Sequence, residues 1–194
     1  MLRCLPLLCL WFSSLAGAAD MRVVKVEYED GYYTMMSEVW FDVAREPLFN
    51  VFSDWDVATE FSSFVVESRN VGPDDNGEMG YYVLNSACIM FFCKTAERYG
   101  AVTTDAYEVI HALADPARSD FELSDETWTF SDDTGGTVVR YQLKMKPAFW
   151  VPPFIGPYLI KRKLRDDGSA ALDRIEAIAQ DRVQKRAREK LAGE

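Results

Sequence analysis

Few side chains in this 194-residue chain have the type and spacing to do chemistry. The single histidine, His111, stands between Ile110 and Ala112. A metal centre built on it would need unusual ligands, because no His-Cys-carboxylate spacing surrounds it. Asp54 and Asp56 form a close carboxylate pair. Such a pair serves general acid–base work when one member is buried, whereas beside a helix start the same residues act as caps. GxSxG, P-loop and GxGxxG patterns do not occur, so serine-hydrolase and nucleotide chemistry lack their usual signal. No catalytic residue, metal ligand or cofactor is assigned, and binding is favoured over an enzymatic role.

The remaining reactive groups are four cysteines. Two of them, Cys4 and Cys9, fall in a segment with Arg3 as a positive start, an apolar stretch from Leu5 to Leu15 and the small residues Ala16-Gly17-Ala18. Residues 1–18 therefore read as a secretory signal peptide. Pro6 and Ser13-Ser14 interrupt a stretch already shorter than the ~20 residues of a membrane span. The expectation is an exported protein, periplasmic or secreted, whose mature chain keeps only Cys88 and Cys93 in a compartment where disulfides persist. On one straight strand the two Cα atoms would lie about 16 Å apart, beyond the reach of a disulfide. Two readings stay open: a Cys88–Cys93 bridge closed by a reversal within residues 89–92, or two free thiols on a continuous strand.

Composition narrows the partners. There are 31 Asp+Glu against 21 Lys+Arg, for a formal charge of -10. That argues against nucleic acid, whose phosphates call for a basic surface. An apolar fraction of 48% is too high for a disordered chain. The acids concentrate in the body while the closing segment is basic, so the two are complementary. One domain over residues 20–183, followed by a charged tail over 184–194, accounts for the whole mature chain, and a monomer is expected.

The elements follow from periodicity. Val24, Val26 and Tyr28 alternate with Lys25, Glu27 and Glu29, and a second strand-like run from Tyr32 follows the Asp30-Gly31 turn. Pro47 suits the first turn of a helix, and two short helices broken near Ser53-Asp54 are expected up to Phe64. Strands are predicted over 65–71, 79–85, 93–102 and 105–113, then around Trp128 and Phe130. A final strand places Val139, Tyr141, Leu143 and Met145 on one face and Arg140, Gln142, Lys144 and Lys146 on the other. After the Pro-rich stretch from Pro147 to Pro157, residues Ile160, Leu164, Leu172, Ile175, Ile178 and Ala179 recur at helical spacing. From about residue 184 the chain is expected to fray. The class is α+β.

This order resembles the START-like helix-grip superfamily, also called polyketide cyclase/dehydrase or coenzyme Q-binding proteins. The similarity is carried by residues Asp42 to Trp55, by Phe61, Phe64 and Glu67, and by the Pro147-Ala148-Phe149 to Pro153 approach to the last helix. It covers nearly all of residues 22–182. The resemblance implies a curved antiparallel sheet wrapped around the long C-terminal helix, with an apolar cavity between them. No catalytic residue of the superfamily carries over.

Trp40, Trp128, Phe130 and Tyr141 are large enough to plug such a cavity. Three apolar clusters fall in connecting regions: Phe61 with Phe64, Ile89-Met90-Phe91-Phe92, and Phe149 to Ile155. Exposed apolar loops mark contact with something. The expected ligand-binding residues are Phe61, Phe64, Met90, Phe91, Trp128, Tyr141, Phe149, Trp150, Phe154 and Tyr158. Their ligand is a hydrophobic small molecule of lipid, quinone or polyketide-like kind, with transient membrane-surface contact during loading. Two alternatives remain: a cyclase or dehydratase using the same cavity, and a ligand-free protein-interaction module.

Overall fold

Alternating apolar and polar residues build one sheet, and a change to helical period ends it. The computed structural model describes residues 19–73, 77–89, 92–151 and 156–193, with the backbone alone at residues 89, 92 and 156–167. The expected signal segment, 1–18, lies outside the described residues. Strands β1 (Asp20–Glu29), β2 (Tyr32–Phe41), β3 (Val65–Val71), β4 (Met79–Ile89), β5 (Phe92–Asp105), β6 (Val109–Ala114), β7 (Phe121–Asp133) and β8 (Gly136–Pro147) pair antiparallel in the order β1-β2-β8-β7-β6-β5-β4-β3. Between β2 and β3 come α1 (Arg45–Phe52), a single 3-10 turn (Trp55–Val57) and α2 (Ala58–Phe61), and the chain closes with α3 (Gly156–Ala192). Register shifts within β1, β3 and β7 are the irregularities that let a long sheet bend. The result is the curved sheet and long helix of the helix-grip arrangement.

Cross-strand partners share a face, so the register sorts the side chains. Ser37, Tyr141, Trp128 and Ile110 follow one another across four strands on the concave side, and Val39, Val139 and Phe130 across three, one row along. Phe41, Leu48, Val51, Tyr81 and Ile110 are among the fully buried residues of the resulting core. Trp40 is a correction to the expected plugs. It alternates with Val39 and Phe41 and pairs with Val138, which puts it on the opposite face.

The two cysteines form a disulfide. Strand β4 continues to Ile89 and β5 starts at Phe92, further than the pattern suggested, so Cys88 and Cys93 are directly opposed with Cα atoms 3.9 Å apart. The next reversal also differs from expectation. It falls at Ala106 (φ 37°) and Tyr107 (φ 63°), where the backbone adopts a left-handed turn usually signalled by Asn-Gly. The Tyr107 ring meets Phe49 edge-on at 5.4 Å, which holds the turn against α1.

Helix α3 is fastened through its second half. Glu176 accepts a hydrogen bond from the Asp42 N–H (3.2 Å) and Gln180 donates to the Asp42 carbonyl (3.4 Å). Arg174 donates to the Phe61 carbonyl and Arg182 to the Asn50 carbonyl, both at 3.0 Å. Beneath these, Ile175 and Ala179 are buried in the core. The helix runs unbroken past Gly168-Ser169 and stays helical to Ala192, although residues 183–193 are exposed. Fraying is offset there by a run of strong helix formers.

Burial pushes the Glu176 carboxyl above its ordinary value, with Asp42 and Asp173 adding to the effect and the Asp42 N–H opposing it. The folded state therefore holds this proton more tightly than the unfolded chain, and the contribution to stability is lost as pH rises through the folded pKa. Glu176→Gln removes that loss. Thermal melts from pH 4 to pH 7 are expected to show the variant gaining on the wild type as pH rises; a difference that is flat or shrinks with pH contradicts the assignment.

Candidate functional site

A cavity of about 200 Å³ lies between the sheet and α3. Strand parity supplies its floor: Met35, Ser37, Val39 and Phe41 from β2, Val139 and Tyr141 from β8, Trp128 from β7. Met21 and Val24 of β1 form one side and Phe52 of α1 another. Among the described residues, the roof is Gly168, Ala171 and Leu172. Two of those three side chains are too small to fill the space beneath them over a concave sheet, which leaves room for a cavity. Gly168 costs the helix about 1 kcal/mol relative to alanine. A Cβ there would stand 3.2 Å from the Met21 Cε, so the glycine makes room for that methionine. Met21, Val24, Met35 and Ser37 are only half-buried, whereas Val39, Phe41 and Val139 are buried. The cavity thus deepens from the β1–β2 side toward α1.

Tyr141 joins this apolar space to a charged cluster. Its ring lines the cavity while its hydroxyl donates to Glu126 Oε2 at 2.7 Å. Glu126 (3% exposed) also pairs with Arg98 Nη1 of β5 and accepts from the Ser124 hydroxyl. Alanines on the strand between, Ala112 and Ala114, leave space for the arginine to cross β6. Burial holds the Tyr141 hydroxyl well above the usual tyrosine range, against the pull of Arg98. Tyr81 is raised for the same reason, again opposed by Arg98. Rings connect the two tyrosines. Trp128 stacks on Tyr141 at 4.9 Å, Trp55 stacks on Tyr81 at 4.4 Å, and the two tryptophans meet edge-on at 6.0 Å.

Chemically, the cluster is suited to holding and orienting. Glu126 accepts from three donors and Tyr141 keeps its proton, so neither is poised as a general base. Unmet hydrogen-bonding capacity remains on the same half of the sheet, where Tyr81 Oη, Trp55 Nε1 and Ser68 Oγ are buried without a partner among the described residues. Each such group costs about 1–3 kcal/mol relative to a satisfied one.

The other candidates are structural. Asp54 Oδ1 accepts from the Asp56 N–H (3.3 Å) and from Asn70 Nδ2 (3.0 Å), and its Oδ2 takes Arg182 Nη2 at 2.7 Å. Asp56 accepts from the Asn70 N–H and Nδ2, both at 2.9 Å, and these bonds lower its pKa. The carboxylate pair therefore ties β3 and α3 to the 3-10 turn. His111 faces outward from β6 with Nε2 2.8 Å from Asp125 Oδ1. Among the described residues no three His, Cys, Asp or Glu side chains could hold a metal ion.

Of the residues expected to contact a ligand, Trp128 and Tyr141 come together in the cavity wall. Phe61 is half-buried against the edge of the core. Phe64 lies beside β4, its carbonyl accepting from the Ser86 N–H at 2.8 Å. Phe149 packs edge-on against Phe121 under the Lys94 ammonium, and Trp150 is 70% exposed. Met90, Phe91, Phe154 and the side chain of Tyr158 lie outside the described residues. Sequence reasoning missed Ser37, Arg98, Glu126 and Gly168. A signal existed for the first three: polar residues on the apolar parity of their strands.

No family model matches the sequence, and no curated protein does. Solved structures do match in fold. A STAR-related lipid transfer protein from Xanthomonas axonopodis aligns with a TM-score of 0.59 at 15% identity, over 78% of this chain and 98% of its own. A START superfamily protein from Mycobacterium smegmatis gives 0.58 at 14%, over 75% and 98%. The Zhui aromatase/cyclase from Streptomyces sp. R1128 gives 0.57 at 10%, over 78% and 96%. The chain has a START-like helix-grip fold.

Replacing Arg98 by methionine leaves the Glu126 carboxylate without its counter-charge in a dry site. Urea unfolding is expected to show a loss of about 3–5 kcal/mol, much of it recovered in Arg98→Met/Glu126→Gln. A single variant within about 1 kcal/mol of the wild type, the range of a surface pair, contradicts this picture.

Proposed function

We propose that this chain is an exported binding protein for a hydrophobic small molecule, held between the sheet and α3. The observation that carries the reading is the cavity roofed by Gly168 and Ala171 over an apolar, aromatic floor. A cavity kept open by a helix glycine is space retained at a cost in stability. The fold neighbours include a lipid transfer protein and an aromatase/cyclase, in keeping with a fold suited to apolar ligands. The signal-like segment 1–18 and the exposed Cys88–Cys93 bridge support export to an oxidising compartment, periplasmic or extracellular. Exposed Trp150, beside the half-buried Phe149, supports transient contact with a membrane surface.

Binding is favoured over catalysis because the buried charged cluster that meets the cavity wall, Arg98 with Glu126, is internally satisfied. The cyclase reading would need Glu126 or Tyr141 free to move a proton, and both are committed to partners.

Native mass spectrometry of protein purified from the exported fraction, with solvent extraction alongside, tests the proposal. An apolar molecule of defined mass is expected to be carried or taken up, and Ala171→Phe, which fills the roof, is expected to lower occupancy at least tenfold while the fold is kept. A wild-type protein that neither carries nor takes up any apolar molecule contradicts it.

A further inference from the structure

The size and lining of the cavity narrow its occupant, an inference that rests on the binding role proposed above. An apolar protein cavity of ~150 Å³ accommodates one benzene, and drug-sized ligands fill ~300–1,000 Å³. At about 200 Å³, this space holds one ring with a short substituent. Fused polycycles and paired acyl chains exceed the space bounded by the described residues.

The walls specify more than size. Rings of Phe41, Phe52, Trp128 and Tyr141 border the space, a setting in which an aromatic ring gains edge and face contacts that a flexible chain does not. Met21 and Met35 adapt to small differences in outline. Charged side chains do not occur in the described lining, so a carboxylate or ammonium would be buried without a counter-charge. Besides the Trp128 indole N–H, which can only donate, the described lining offers the Ser37 hydroxyl, which has no partner among the described residues. The Tyr141 proton is already committed to Glu126. A serine hydroxyl both donates and accepts, so it suits a hydroxyl or a carbonyl. The limit on length comes from above, because any side chain at position 168 would press on Met21 and into the space.

We propose that the cavity binds a neutral, single-ring aromatic compound carrying one hydroxyl or carbonyl group beside Ser37, with Gly168 setting the size limit.

The test uses the exported full-length protein and calorimetric titration with 4-alkylphenols from phenol to 4-nonylphenol, with propylbenzene and phosphatidylcholine vesicles as controls. Affinity is expected to peak near 4-propylphenol and to fall at least tenfold by 4-nonylphenol. Ser37→Ala is expected to weaken 4-propylphenol by about 2–10-fold, one hydrogen bond's worth, and to leave propylbenzene unchanged. Gly168→Ala, which favours the helix, and Gly168→Val are expected to move the optimum to progressively shorter chains. If 4-nonylphenol or phosphatidylcholine binds as tightly as 4-propylphenol, the size limit is wrong and the broader binding role stands. Should the phenols bind with no response to either position, the ring sits elsewhere and the proposal fails. Binding by no member of the series overturns this proposal, and the broader binding role falls with it only if protein from the exported fraction also carries no apolar molecule.

Discussion

The second half of α3 must be fixed to the sheet, and the rest of the structure depends on how that is done. Glu176 and Gln180, one helical turn apart, take both backbone groups of Asp42 where β2 ends. Arg174 and Arg182 reach the carbonyls that close α2 and α1. Helix ends and strand ends carry backbone groups without partners of their own. Here one helix face satisfies several of them together. The buried side chains below, Ile175 and Ala179, supply the apolar part of the attachment. With that face fixed, residues 168–172 are held at a set height over the concave sheet, and their small side chains leave the cavity.

Two environments then share one sheet surface. Over β1, β2 and β8 the concave face is apolar and carries the cavity. Toward β5 and β4 it carries the Arg98–Glu126 pair and several buried hydroxyls. Tyr141 and Trp128 stand at the boundary, stacked on each other. Buried ion pairs are seldom the cheapest way to stabilise a core. This pair is better understood as fixing the orientation of Tyr141, whose ring is a cavity wall. The apolar side of that wall is then held in one orientation.

Much of this was legible in the residues. Period-two alternation in β8 assigned Tyr141 to the buried face correctly, and the 3.6-residue spacing of Leu172, Ile175 and Ala179 located the face of α3 that meets the core. The short-helix pair and its aspartate cap also followed from local chemistry. What escaped was set by tertiary pairing. The left-handed turn at Ala106-Tyr107 carries no glycine or asparagine, because packing of Tyr107 on Phe49 holds it. Trp40 reads as a cavity plug by size, yet its parity sends it to the other face. Gly168 looks like a helix kink from sequence; its role is visible only with Met21 opposite. Arg98 and Glu126 are far apart in the chain, and only the sheet register brings them together.

The central claim is that an apolar cavity exists beneath Gly168 and Ala171. Xenon enters dry apolar cavities of this size without needing a polar partner. A crystal of the protein under xenon pressure is therefore the most direct measurement. The account predicts a strong xenon peak enclosed by Phe41, Trp128 and Gly168; a space filled by protein side chains, or by ordered water with no xenon, would contradict it.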